Sequence, residues 1–138
     1  MSLSLAQADT LADEVLRHAR TIDAAALAVV VLDPGGHVVV AKREDGAGIL
    51  RVDIATAKAY GALGMGMSSR AIAERAEKQP TFFGTLAAVA DGRLAPAAGG
   101  CLVHDADGTV LGAVGVSGDT SDVDEACVLA GIEAARLS

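Results

Sequence analysis

The stretch Thr109–Gly118, TVLGAVGVSG, constrains the fold of this chain more than any other. Val110, Leu111, Val114 and Val116 form a nearly unbroken apolar run, bounded by Asp107-Gly108 before and Ser117-Gly118 after. A short run of this kind reads as a strand buried on both faces. Gly112 and Gly115 lie inside it, and glycine within a strand marks a bend or a close approach to the backbone. The run stops at Gly118-Asp119-Thr120-Ser121, where a helix is predicted to begin. Backbone N–H groups at a helix start can bind an anion. Here Asp119, Asp122, Asp124 and Glu125 crowd that end: they suit the helix dipole but oppose a free anion.

The other elements follow in chain order. Leu5, Ala8, Leu11, Ala12, Val15, Leu16, Ala19 and Ile22 have helical spacing, with Ser4 and Gln7 placed as a capping box. His18 lies near the end of this helix. Ala26–Leu32, ALAVVVL, is predicted as a buried strand, and His37–Arg43 as its antiparallel partner across the turn Asp33-Pro34-Gly35-Gly36. Arg43 and Asp45 flank the next break and can reach a shared cleft, as an ion pair holding the loop. A helix is predicted from Leu50 to Leu63 with Lys58 in its middle. That lysine reads as a solvated residue, or, turned inward, as a holder of a carboxylate. Gly61, Gly64 and Gly66 end the helix and do not make a dinucleotide fingerprint. Ser68 or Ser69 caps a further short helix closed by Gln79-Pro80. Phe82 and Phe83 follow in a loop or short helix, either filling a core gap or walling a pocket. Ala88–Pro96 is predicted to include a short strand. Cys101–His104 is a strand joined to Thr109–Gly118 by the turn Asp105–Gly108. The last helix begins near Ser121, with Asp124 at capping-box spacing.

The hairpins argue for an antiparallel sheet with helices packed on it, an α+β arrangement. At 138 residues the expectation is one domain, 1–138, able to bury a substantial core. No apolar run approaches the ~18 residues of a membrane span, and the start MSLSLAQADT has no secretory pattern. A cytoplasmic protein is expected. The net charge of −7 argues against nucleic acid and anionic membranes as partners. Cys101 and Cys127 are expected to be buried free thiols. His18, His37 and His104 have no metal-ligand spacing among themselves, and no serine elbow, H-E-x-x-H or C-x-x-C occurs, so no metal site is expected.

ALAVVVLDPGGHVVVAKREDGA, Lys58-Ala59, QPTFFG, AAGG, DGTVLGAVGVSG and DVDEACVLAG, in that order, resemble the successive motifs of the GlcG/HbpS-like family, from Leu5 to Ala135. This is the haem-degrading or haem-binding domain family, which includes the C-terminal domain of PduO-type proteins. The resemblance implies a profilin-like α/β/α sandwich with a five-stranded antiparallel sheet. It also implies a homo-oligomer, from dimer to octamer. Matched residue by residue, it marks Asp33, Gly35, Gly36 and His37 at the first turn, and Arg43, Asp45 and Gly46. It further marks Gly99, Gly100, the run Gly115–Gly118, and Asp124 with Glu125. The sequence departs from the family pattern twice. Leu102 stands where proline is usual, and Glu44 where an apolar residue is usual.

Three functions follow as expectations. The first is a small-molecule-binding module for haem or a related tetrapyrrole. Its candidate cofactor-binding residues are His18, His37, His104, Phe82, Phe83, Gly99, Gly100, Ser117 and Gly118, the histidines as axial ligands. The second is a lyase, isomerase or hydrolase acting on a carboxylated metabolite. There Arg43 or Lys58 holds the carboxylate, His37 or Asp45 moves the proton, and the Ser117-Gly118 backbone stabilises an oxyanion. The third is a non-catalytic oligomeric accessory protein.

Overall fold

The computed structural model of the protein describes residues 1–138. Its elements are α1 (Leu5–Thr21), β1 (Ala28–Leu32), β2 (Val38–Arg43), α2 (Arg51–Met65), α3 (Ser69–Lys78), α4 (Pro80–Val89), β3 (Gly100–His104), β4 (Val110–Ser117) and α5 (Ser121–Ala134). The strands form one antiparallel sheet in the order β2-β1-β4-β3. β4, the strand expected to be buried on both faces, is central, and seven of its eight residues are buried.

Alternation along the strands sends side chains to two separate cores. Val29 and Val31 of β1, with Val114 and Val116 of β4, join α1 and α5 in a cluster of 19 buried residues. Val30, Leu32 and Ala113 point the other way, onto Ala55 and Ala59 of α2. The sheet is therefore sandwiched between α1/α5 and α2. A third, smaller cluster of Ile72, Phe83 and Leu94 attaches α3 and α4 to the α2 side. No helix is long and apolar enough to cross a membrane.

Local chemistry explains where the elements start and stop. α1 opens on the expected capping box: the Gln7 N–H donates to Ser4 Oγ at 3.1 Å, and the Ser4 N–H donates to Gln7 Oε1 at 2.9 Å. α2 ends at Gly66, whose φ of 67° is a left-handed conformation that glycine adopts freely. Ser68, of the two candidate serines, caps α3. α2 lies close on β4 because Gly115 has no side chain. A Cβ there would strike the Ala55 carbonyl oxygen in the α2 backbone.

Three expectations are corrected. The sheet has four strands, not five. The apolar residues expected to give a strand within 88–96 instead finish α4, which Pro80 starts at its first turn, and then run out as a loop. The outer edge of β3 is closed without another strand. Ser69 Oγ bonds both the N–H and the C=O of Gly100, and Ser138 exchanges backbone bonds with His104. Lastly, Asp124 does not serve a capping box: Thr120 caps α5, and Asp124 is turned into the core.

Candidate functional site

Lys58, Gly99, Gly100, Ser117, Gly118 and Asp124, all marked in the sequence, come together where α2, β3, β4 and the start of α5 meet, around a buried ion pair. Lys58 Nζ lies 3.1 Å from Asp124 Oδ2 and donates to the Val116 carbonyl at 2.9 Å; both side chains are 2% exposed. Asp124 Oδ1 accepts the Asp119 N–H at 2.9 Å. Burial pushes the Asp124 carboxyl above its ordinary range, against the opposing pull of that N–H and of Lys58. Gly99 and Gly100 give this pair its room. A Cβ on Gly99 would fall 2.8 Å from Lys58 Nζ, and one on Gly100 would strike the Lys58 backbone. Ser117 is fully buried and accepts a 3.1 Å bond from Arg51, with Gly118 beside it. No buried polar side-chain atom lacks a partner, so this knot ties helices to sheet. The larger clefts open elsewhere.

Arg43 and Asp45 do share a cleft, of about 450 Å³, with Arg20, Ala26 and Glu44. They form no ion pair; Arg43 donates instead to the Ala47 carbonyl at 2.8 Å. Glu44, one of the two departures from the family pattern, has a visible task. Its carboxylate accepts the Leu27 N–H at 2.8 Å and lies 3.1 Å from Arg20 Nε, joining the end of α1 to the start of β1.

The histidines are dispersed. His37 sits on the β1–β2 turn, 81% exposed, with Nδ1 3.2 Å from Asp33 Oδ1. Arg43 is at the other end of β2, about 20 Å along the strand at ~3.3 Å per residue, so one chain does not bring the two to a common substrate. His18 is half-buried in a shallow groove between α1 and α5. His104 ends β3, pairing through its backbone with Ser138. No group of three or more His, Cys, Asp or Glu side chains could hold a metal ion. Phe83 is buried in the α3–α4 core, whereas Phe82 is 53% exposed and edge-on to it.

One cleft has mainly apolar walls. It runs between α2 and α4, encloses about 280 Å³, and is lined by Tyr60, Met65, Leu86, Val89 and Leu94 among others, with Arg93 on its rim. The Arg93 guanidinium carbon stacks 4.0 Å above the Tyr60 ring. Tyr60 and Gly64 continue the groove into a hollow beside Pro34, Gly35 and Gly36 of the first turn. Sequence reasoning missed this site because the stretch after Pro80 reads as a loop or short helix, and a strand is expected within 88–96 where α4 ends. The one usable signal was Tyr60, the only tyrosine in a chain nearly devoid of aromatics.

With fold and clefts described, comparison with known proteins is informative. The family profile described as "Haem degrading protein HbpS-like" matches residues 3–133. The chain belongs to the HbpS-like family. No curated protein matches it. Among solved structures, a PduOC:haem complex superposes with a TM-score of 0.89 at 21% identity, covering 100% of this chain and 98% of the other. The ORFY protein of Klebsiella pneumoniae gives 0.88 at 28% identity, covering 97% and 90%. A double mutant of HbpS from Streptomyces reticuli gives 0.84 at 29% identity, covering 97% and 87%. Membership of the HbpS-like family supports a haem-binding or related small-molecule-binding role for the chain.

Proposed function

We propose that this protein binds haem or a related tetrapyrrole, with one face of the flat ligand seated in the α2–α4 groove. The observation that carries this reading is the groove itself: apolar walls with a single cationic rim residue. Ligand sites are typically concave, largely apolar and provided with few polar anchors. A tetrapyrrole suits that pattern, because Met65, Leu86, Val89 and Leu94 can meet its ring while Arg93 meets a carboxylate at its edge. Family membership supports the same ligand class. The groove's volume of about 280 Å³ falls just below the usual ~300–1,000 Å³ range, so one chain covers only part of such a ligand. A homo-oligomer in which a second copy covers the rest is part of this proposal. Exposed Val89, on the groove wall, is available to that contact.

Gly64 provides the test. It lines the groove, and a Cβ placed there meets nothing within 4 Å. Gly64→Leu therefore fills the site without disturbing the backbone, and it removes a glycine from a helix, a gain of about 0.5–1 kcal/mol. In a haem titration followed by Soret absorbance, the wild-type protein is expected to saturate. Gly64→Leu is expected to lose binding while keeping or raising its thermal midpoint. Equal binding by both proteins, or no saturation by either, contradicts the proposal.

A further inference from the structure

We infer that Tyr60, and not a histidine, is the side chain that meets the iron of a ferric haem in the α2–α4 groove, with Arg93 as its electrostatic partner. This rests on the groove reading above and adds the identity of the ligand atom.

Position is the first ground. Tyr60 is shared by the groove and by the hollow under the first turn, so its side chain stands where the two halves of the depression join. Among the groove's lining residues, only the Tyr60 phenol and the Met65 thioether can coordinate iron. His18 lies on the α1/α5 side of the sheet, opposite α2. His104 is at the end of β3, and the exposed His37 ring is engaged by Asp33.

Fixation is the second. A Cβ on Gly36 would fall 2.7 Å from Tyr60 Cε2, so the glycine turn and the ring are fitted edge to backbone. Arg93 covers a ring face at 4.0 Å, itself steadied by a 3.0 Å bond from Nε to the Ala90 carbonyl. The ring is thus held in place on two sides. Its oxygen makes no protein hydrogen bond and is not fully buried, so coordination displaces no internal partner.

Chemistry is the third. Tyrosine is an established type of haem ligand, and a guanidinium over the ring attracts its electron density. On binding, the phenol O–H breaks, its proton passes to solvent, and the oxygen lone pair forms the O–Fe bond. The iron stays ferric, so no oxidant or reductant is needed.

The test pairs ferric haem with iron-free protoporphyrin, each titrated into the wild type and into Tyr60→Phe, His18→Ala, His37→Ala and His104→Ala. Wild type with haem is expected to show a phenolate-to-iron charge-transfer band and a high-spin ferric electron paramagnetic resonance signal. Tyr60→Phe should lose both and bind haem about tenfold or more weaker, the scale on which metal-site contacts act. It should bind the iron-free ring as the wild type does. The histidine variants should match the wild type with haem. An unchanged haem spectrum in Tyr60→Phe, equal weakening toward both porphyrins, or loss of the spectrum in a histidine variant overturns the inference while leaving the groove reading standing. Failure of the wild type to bind either porphyrin overturns both.

Discussion

Lys58 shows how much one residue's meaning depends on its surroundings. A lysine in the middle of a helix is ordinarily solvated, yet this one is buried and paired with Asp124, far along the chain. Removing one member of a buried pair leaves the other uncompensated, at a typical cost of ~3–5 kcal/mol. Lys58→Met is therefore expected to lower the unfolding free energy measured in urea by that order, and Lys58→Met/Asp124→Leu to recover much of it. A single variant as stable as the wild type would show that the pair contributes nothing. The acids of this region respond to pH with opposite signs. Asp119 is held below its ordinary 3.8 by the Ala25 and Thr120 N–H groups. Its contribution is present above that value and is lost as pH falls through the lowered one. Asp124 is raised by burial, so its contribution is present below the ordinary value and fades as pH rises through the raised one. Urea midpoints across pH should thus converge toward the wild type at low pH for Asp119→Asn. A gap that widens on acidification would contradict this. Cys101 has its thiol pushed up to about 11, first by burial and then by Glu125, and Cys127 is fully buried. Neither should react with a disulfide reagent at neutral pH until the protein unfolds; rapid native labelling would be the contrary result.

At the scale of elements, the glycines govern how closely helices approach strands. Gly115 sets the α2–β4 approach, and Gly131 sets that of α5 to α1, where a Cβ would lie 2.5 Å from Val15 Cγ2. Gly115→Ala should lower the thermal midpoint by an amount equivalent to about 1–3 kcal/mol or more, because backbone must move. An unaffected midpoint would mean that α2 slides without cost. The strands and the first and last helices were legible because their apolar periodicities, turns and caps agree with one another. The 80–90 stretch was not. Its apolar residues, Phe82, Phe83 and the run 86–90, carry no period that separates helix from strand, and the deciding feature, Pro80 at the first turn of α4, reads equally well as the end of α3. The candidate site was legible only in part for the same reason. The sequence marks Lys58 as a carboxylate holder beside Arg43, and Gly99, Gly100, Ser117 and Gly118 as cofactor-binding residues, with nothing in it to say that these two sets meet. Their chemistry was not legible either, because the satisfaction of Lys58 by Asp124 and Val116 is a tertiary fact.

Across the whole molecule, two features divide the work. The sheet and its α1/α5 and α2 layers form the stable body, with the buried ion pair tying α2 to β4 and α5. The α3–α4 unit, with its own small core, builds one wall of the apolar groove outside that body. A ligand site at the seam between a large core and a small one can change by substitution in α4 while the sheet remains intact. Nuclear magnetic resonance mapping of protoporphyrin binding on isotope-labelled protein tests this placement most directly. Amide shifts are expected at Tyr60, Gly61, Gly64, Val89 and Arg93, leaving the α1/α5 surface around His18 and Ala130 unmoved. Shifts centred on His18, or on the cleft of Arg20 and Arg43, would contradict the assignment of the site to the α2–α4 groove.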